Sequence, residues 1–301
     1  MKVSFIGLGI MGMGMALNLA DGEKDGEFRY LACDADHKAL EQFKEKGIKT
    51  TTNIADTVDS DYIFLCLPNL EIVKEAILGE NGLLQHLKPG QTIVDFSTIS
   101  YIGATEIAET CKAKGIEFLD CPISGQRAKS MEGTLSIMCG GDEEVFNTIK
   151  PMLDRMGEQV IYMGENGSGQ LTKVINNCAL NICAASFSEL MPVGVKLGLD
   201  AEKLGDVLMT ATGSSFASQT LIPKVLEGDF EHGFSLDKAY KDMESIFEVL
   251  VKYEIPLPTL NGTMQTYQLA LQSGQRDYYK QAMIRFYEDL LGVKVRKEGF
   301  E

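Results

Sequence analysis

The sequence predicts an α/β domain built on a mostly parallel sheet over residues 1–164, followed by an all-helical domain over 165–301. Three observations predict it. Short β-like runs alternate with amphipathic segments through the first half, the pattern of a parallel sheet covered on both faces. Strand signals then become scarce beyond the glycine-rich GENGSG at 164–169. Finally, the chain opens on an apolar run, MKVSFIGLGIMGMGMALNLA, with glycines spaced as a strand–turn–helix unit requires.

The elements follow in order. Strands are expected at KVSFI (2–6), RYLAC (29–33), DYIFLCL (61–67), TIVDF (92–96), EFLDC (117–121) and TLSIMC (134–139). Runs such as IFLCL, apolar without alternation, fit burial on both sides of the sheet. Between them, HKALEQFKEK, EIVKEAIL, YIGATEIAETCKAK and EEVFNTIKPMLDRM read as amphipathic helices. From about residue 168 one long helix is expected, running through QLTKVINNCALNICAASFSELMPVGVKLG, with Pro192 kinking or ending it. Helical stretches continue at 201–211, 235–253, 259–272 and 277–292.

Composition narrows the function classes. A net charge of −15 repels nucleic acid and anionic lipid, so neither is an expected partner. Beyond the opening, no apolar run is read as long enough to span a bilayer. Seven cysteines, with no CxxC pair and no metal-ligand spacing, suit a reducing cytosol, and no metal site is expected. The opening could be mistaken for a secretory signal. That reading gives no reason for glycines at 7, 9 and 12, and cleavage at Ala20 would remove the turn. A cytoplasmic location is therefore expected.

Gly7-Leu8-Gly9-Ile10-Met11-Gly12 matches GxGxxG directly after a strand. The first glycine permits the tight turn, the second lets backbone approach a pyrophosphate, and the third brings helix and strand together. Asp34 ends the second strand at the spacing of a ribose-binding acid. No Arg or Lys follows until Lys38, so NAD is the expected cofactor, with NADP the alternative. The plainer readings are a simple turn, and Asp34 or Asp36 capping the next helix.

GLGIMGMGMALNLA resembles the β-hydroxyacid dehydrogenase family, which includes 3-hydroxyisobutyrate dehydrogenase and tartronate semialdehyde reductase. CLPN, DFST, DCPISG with GTLSIMCGG, GSGQLTKVINN and FSLDKAYKD match in the same order, so the resemblance spans essentially the whole chain. It implies a Rossmann-type domain, a long interdomain helix and a helical domain completing a substrate cleft. It also implies NAD(P)-linked interconversion of a small 3-hydroxy acid and its semialdehyde, in a homodimer or homotetramer. By the same resemblance Gly7, Gly9, Ile10, Met11, Gly12, Asp34, Leu67, Pro68, Thr98 and Lys241 contact the cofactor.

Such chemistry needs a group to exchange the hydroxyl proton. His37, His86 and His232 are the three histidines, and none has a catalytic context. Lys173 does: it lies in a helix among Leu171, Val174 and Ile175, with Asn177 four residues later on the same face. A lysine desolvated in a cleft can be tuned for general acid/base work. The plain alternative is a solvated helical lysine; the GxGxxxKxxxN resemblance makes Lys173 catalytic, with Asn177 holding substrate oxygen or fixing the lysine. Ser124 and Gly125 are expected on the substrate carboxylate, and Asp242 in support of Lys241. The family's usual SGG reads Ser124-Gly125-Gln126-Arg127 here. Gln126 or Arg127 is expected to meet a second polar or anionic substituent, an outward-pointing arginine being the alternative. A non-catalytic NAD-binding sensor or scaffold, or an imine reductase, is the competing function. The C-terminal region is too short for the extended helical domain of 6-phosphogluconate dehydrogenase.

Overall fold

The computed structural model describes residues 1–300 and divides into two compact units, Met1–Lys173 and the chain from Val174 onward. The first unit opens with β1 (Lys2–Ile6), α1 (Gly12–Lys24), β2 (Arg29–Cys33), α2 (Glu41–Glu45) and β3 (Lys49–Thr51). It continues through β4 (Tyr62–Leu65), α3 (Leu70–Leu78), β5 (Thr92–Asp95), α4 (Tyr101–Lys112) and β6 (Glu117–Asp120). A shorter run follows: β7 (Ile123–Ser124), α5 (Arg127–Glu132), β8 (Leu135–Gly140), α6 (Glu143–Leu153) and β9 (Gly157–Gly164). The sheet order β3-β2-β1-β4-β5-β6-β8-β7, with β9 beside β8, begins as the doubly wound arrangement in which β1 and β4 flank the switch point.

Both faces of the sheet's central strands are buried, and the residues show why. Phe5 and Phe64 point to one side and stack with Phe96, at centroid distances of 6.4, 6.0 and 5.8 Å within the trio. Their neighbours Ile6, Ile63 and Leu65 point to the other side, into a core shared with Val73, Ile77 and Ile107. A strand apolar at every position thus feeds two cores at once.

The helix α7 (Ser168–Lys196) continues into the second unit. That unit also contains α8 (Ala201–Thr210), α9 (Phe216–Leu226), α10 (Leu236–Tyr253), α11 (Pro258–Ala270) and α12 (Met283–Leu291). Ala184, Met191, Ile222, Ala239, Tyr267 and Met283 are buried at its centre.

The α/β-then-helical class is as expected, with differences in detail. Three strands go beyond the six expected, the short β3 and β7 and the eight-residue β9, and β8 runs antiparallel to β6 and β7. The helix α9 lies outside the helical stretches expected; a Ser215–Ser218 capping box starts it. Pro192 does not end α7, which runs on to Lys196. The same 29-residue helix is also long and apolar enough to cross a membrane by length and composition, contrary to the sequence reading. Its small residues explain this. Cys178, Ala184 and Ala185 count as apolar, and they serve to pack α7 into the second unit's core.

Candidate active site

The glycine turn is built by exclusion. Gly7 adopts φ +94°, donates its N–H to the Cys33 carbonyl at 2.9 Å, and a Cβ there would lie 2.3 Å from the Cys66 carbonyl oxygen. A Cβ on Gly12 would lie 1.9 Å from the Gly7 carbonyl oxygen, so α1 can start this close only with glycine. Gly9 is different: nothing lies within 4 Å of its absent Cβ, and Gly9 and Ile10 are exposed. Two glycines close the turn and the third leaves space, which fits a dinucleotide pyrophosphate at the start of α1. Asp34 accepts the Leu8 N–H at 2.6 Å through Oδ2 and the Asp36 N–H at 2.8 Å through Oδ1. Its carboxylate therefore ties the end of β2 to the turn, and each oxygen keeps a lone pair for a ribose hydroxyl.

Other expected residues lie along the same carboxyl-terminal edge of the parallel strands. Leu67 and Pro68 follow β4, and the Leu67 N–H donates to the Ser97 hydroxyl at 2.8 Å. Thr98, exposed, follows β5. Ser124 is half-buried in β7, while Gly125 takes φ +145° and a Cβ there would press on Leu135 at 2.6 Å. Gln126 occupies the N-cap position of α5 without a side-chain capping bond and Arg127 begins the helix, both exposed. Two bonds lock α5 onto the glycine turn: Ser130 donates to the Met11 carbonyl at 2.6 Å, and Asn18 donates to the Ser130 carbonyl at 2.9 Å. Lys173, half-buried, lies on α7 in this same unit.

Sequence reasoning missed three buried polar groups beneath this edge. Asp95 and Asp120 are fully buried at the ends of β5 and β6, and Gln170 is 1% exposed on α7. Burial pushes the Asp95 carboxyl up to about 7, against hydrogen bonds from Ser97. Burial likewise raises Asp120 to about 6, opposed by the Gly167 and Gln170 amides. Carboxylates at consecutive strand ends, inside apolar runs such as EFLDC, were the available signal.

In the second unit, Asn177 donates to Asp242 Oδ2 at 3.1 Å. Lys241 is exposed and pairs with Asp237 at 2.9 Å, which also receives Arg276; the Lys241 bond chiefly holds the Asp237 carboxyl below its ordinary range. Lys280, only 5% exposed, was also missed. It donates to Asn181 Oδ1 at 2.7 Å and sits 4.8 Å over the Phe234 ring. His37, His86 and His232 are all solvent-exposed, and His232 pairs with Asp229 at 2.9 Å.

Comparison with known proteins agrees with this fold. Residues 2–164 match the family model described as the NAD-binding domain of 6-phosphogluconate dehydrogenase. Residues 167–287 match that described as NAD-binding of NADP-dependent 3-hydroxyisobutyrate dehydrogenase. The chain is 34% identical to 2-(hydroxymethyl)glutarate dehydrogenase of Eubacterium barkeri, covering 98% of this chain and 97% of that protein. It is 31% identical to 2-hydroxy-3-oxopropionate reductase of Escherichia coli, over 98% and 100%. The structure of Mycobacterium tuberculosis 3-hydroxyisobutyrate dehydrogenase with L-serine superposes with a TM-score of 0.82 at 27% identity, over 94% and 98%. An imine reductase from a Pseudomonas species, at 15% identity, shares the fold alone.

Proposed function

The chain belongs to the β-hydroxyacid dehydrogenase family and is a hydroxy-acid oxidoreductase; from that premise we propose that it interconverts a small 3-hydroxy acid and its semialdehyde, with NAD as cofactor and Lys173 as general acid/base. The observation that carries the reading is Lys173 one helical turn before Asn177 on α7. A nicotinamide cofactor bound here would supply the hydride chemistry. In reduction Lys173 Nζ passes its proton to the carbonyl oxygen; in oxidation it takes the hydroxyl proton. Asn177, its amide held by Asp242, orients the reacting oxygen. The Ser124 hydroxyl and the Gly125 N–H receive the substrate carboxylate. Gly7, Gly9, Ile10, Met11, Gly12, Leu67, Pro68, Thr98 and Lys241 are the proposed cofactor contacts. Asp34 favours NAD, since a carboxylate at the end of β2 repels a 2′-phosphate.

A screen of cofactors against semialdehydes and hydroxy acids, followed by NADH absorbance, tests this. Lys173→Ala is expected to lose about 10³-fold in kcat. Wild-type turnover in that variant sinks the assignment.

For the substrate, we place a second carboxylate against Gln126 and Arg127, two exposed polar side chains directly after Ser124-Gly125. The relative acting on 2-(hydroxymethyl)glutarate gives that choice chemical precedent. Gln126→Gly and Arg127→Ala should raise KM for dicarboxylates selectively; an unchanged ranking of substrates refutes it. We also assign a cytoplasmic location, consistent with seven free cysteines, and a homodimer or homotetramer. Leu190 and Val193, exposed along α7, and exposed Leu197 just beyond its end support self-association, which light scattering on the purified protein would measure.

A further inference from the structure

Four buried hydrogen bonds converge where α7 begins. Asp120 accepts the Gly167 N–H through Oδ1 at 2.7 Å and the Gln170 N–H through Oδ2 at 2.9 Å. The Gln170 side chain then reaches to the loop after β5. Its Nε2 donates to the Ser97 carbonyl at 2.7 Å, and its Oε1 accepts the Ile99 N–H at 3.1 Å. These two contacts bracket Thr98. Turning the amide over would set NH₂ against N–H and oxygen against carbonyl, so one orientation is fixed. Gly169 keeps the approach close: a Cβ there would lie 2.4 Å from the carbonyl oxygens of Asp120 and Met138. The loop is braced from its other side too, since Ser97 donates its N–H to Asp95 Oδ1 at 2.9 Å and accepts from Leu67.

Starting a helix requires only that its first N–H groups find acceptors, and Asp120 supplies these. The bridge from Gln170 to the Thr98 loop goes beyond that need. We propose that Gln170, held at its backbone by Asp120, is a positioning residue that fixes Thr98 against the first turn of the helix carrying Lys173 three residues further on. The inference rests on the proposed role of Lys173. It makes the hydride-side loop and the proton-transfer helix one rigid piece within the first unit. Displacing reacting groups by about 1 Å can cost on the order of 10²-fold in rate, which is the scale expected here.

The test is Gln170→Leu, with Gln170→Met as a second variant that fills the same volume more flexibly. The expected result is native circular dichroism and an NADH dissociation constant within about twofold of wild type. With these, kcat should fall about 10- to 100-fold and the primary deuterium isotope effect should rise as hydride transfer becomes slower. A variant with kcat within twofold of wild type but lowered thermal stability makes Gln170 a structural tie and overturns the proposal. Equal losses of kcat and NADH affinity overturn it as well, because the damage then extends to the glycine turn. Lys173→Ala separates the two levels. Wild-type turnover in Lys173→Ala sinks both readings, whereas inactive Lys173→Ala beside fully active Gln170→Leu sinks only the positioning role.

Discussion

The two units hold their fixed points by different means. In the first, backbone does most of the work: Gly7 and Gly12 are held by contacts no side chain could share, and strand ends present the loops. In the second, side chains do it: Asn177, Asp242, Asn181 and Lys280 are polar groups set among apolar helix faces and matched to one another. A backbone-built site tolerates almost no change at its fixed points. A side-chain-built site can lose a partner and keep its fold, at a cost in stability.

Three substitutions would break or sharpen that contrast. Gly12→Ala has the largest expected effect, since its methyl would meet the Gly7 carbonyl oxygen at 1.9 Å. NADH affinity, measured by fluorescence, should drop at least about 100-fold, the scale of losing well-oriented phosphate contacts; near-normal affinity would show that the turn is not backbone-limited. Lys280→Met comes next. It leaves the buried Asn181 carbonyl oxygen without its donor, a loss of about 2 kcal/mol read by denaturant titration, with NADH affinity unchanged. An unaltered midpoint would mean that the pair contributes nothing to the second unit.

The smallest effect concerns Asp95. Its carboxyl, raised by burial from an ordinary 3.8 to about 7, binds a proton more tightly folded than unfolded. The associated stability is therefore complete below about pH 4 and is lost as pH rises through 7; Asp120, raised to about 6, adds the same sign. Wild-type Tm should decline between pH 5 and pH 8. Asp95→Asn should flatten that slope and raise Tm at pH 8 by about 2 °C or more. An identical pH profile in the variant would refute this account.

The same division explains what was legible in the sequence. The doubly wound half could be read because strands such as DYIFLCL are apolar on both faces, and because the glycine spacing has a geometric cause. β9 was not readable: it begins and ends in glycine and buries little of its length, so GEQVIYMG resembles a loop. Among polar groups, Lys173 stood out beside Asn177 and a glycine-rich start. Asp120 and Gln170 did not, because their partners are backbone amides and carbonyls on segments distant in sequence. Lys280 was hidden for a similar reason, since its partner Asn181 is 99 residues away.

The short bond from the Ser130 hydroxyl to the Met11 carbonyl has a consequence for anyone reshaping this enzyme. The helix that carries Arg127 also braces the glycine turn. On the roles proposed for Arg127 and for that turn, substrate preference and cofactor affinity are not separate dials. Evolution or engineering that re-aims Gln126 and Arg127 by rotating α5 must also retune Met11, and pocket libraries screened at saturating cofactor will conceal that debt.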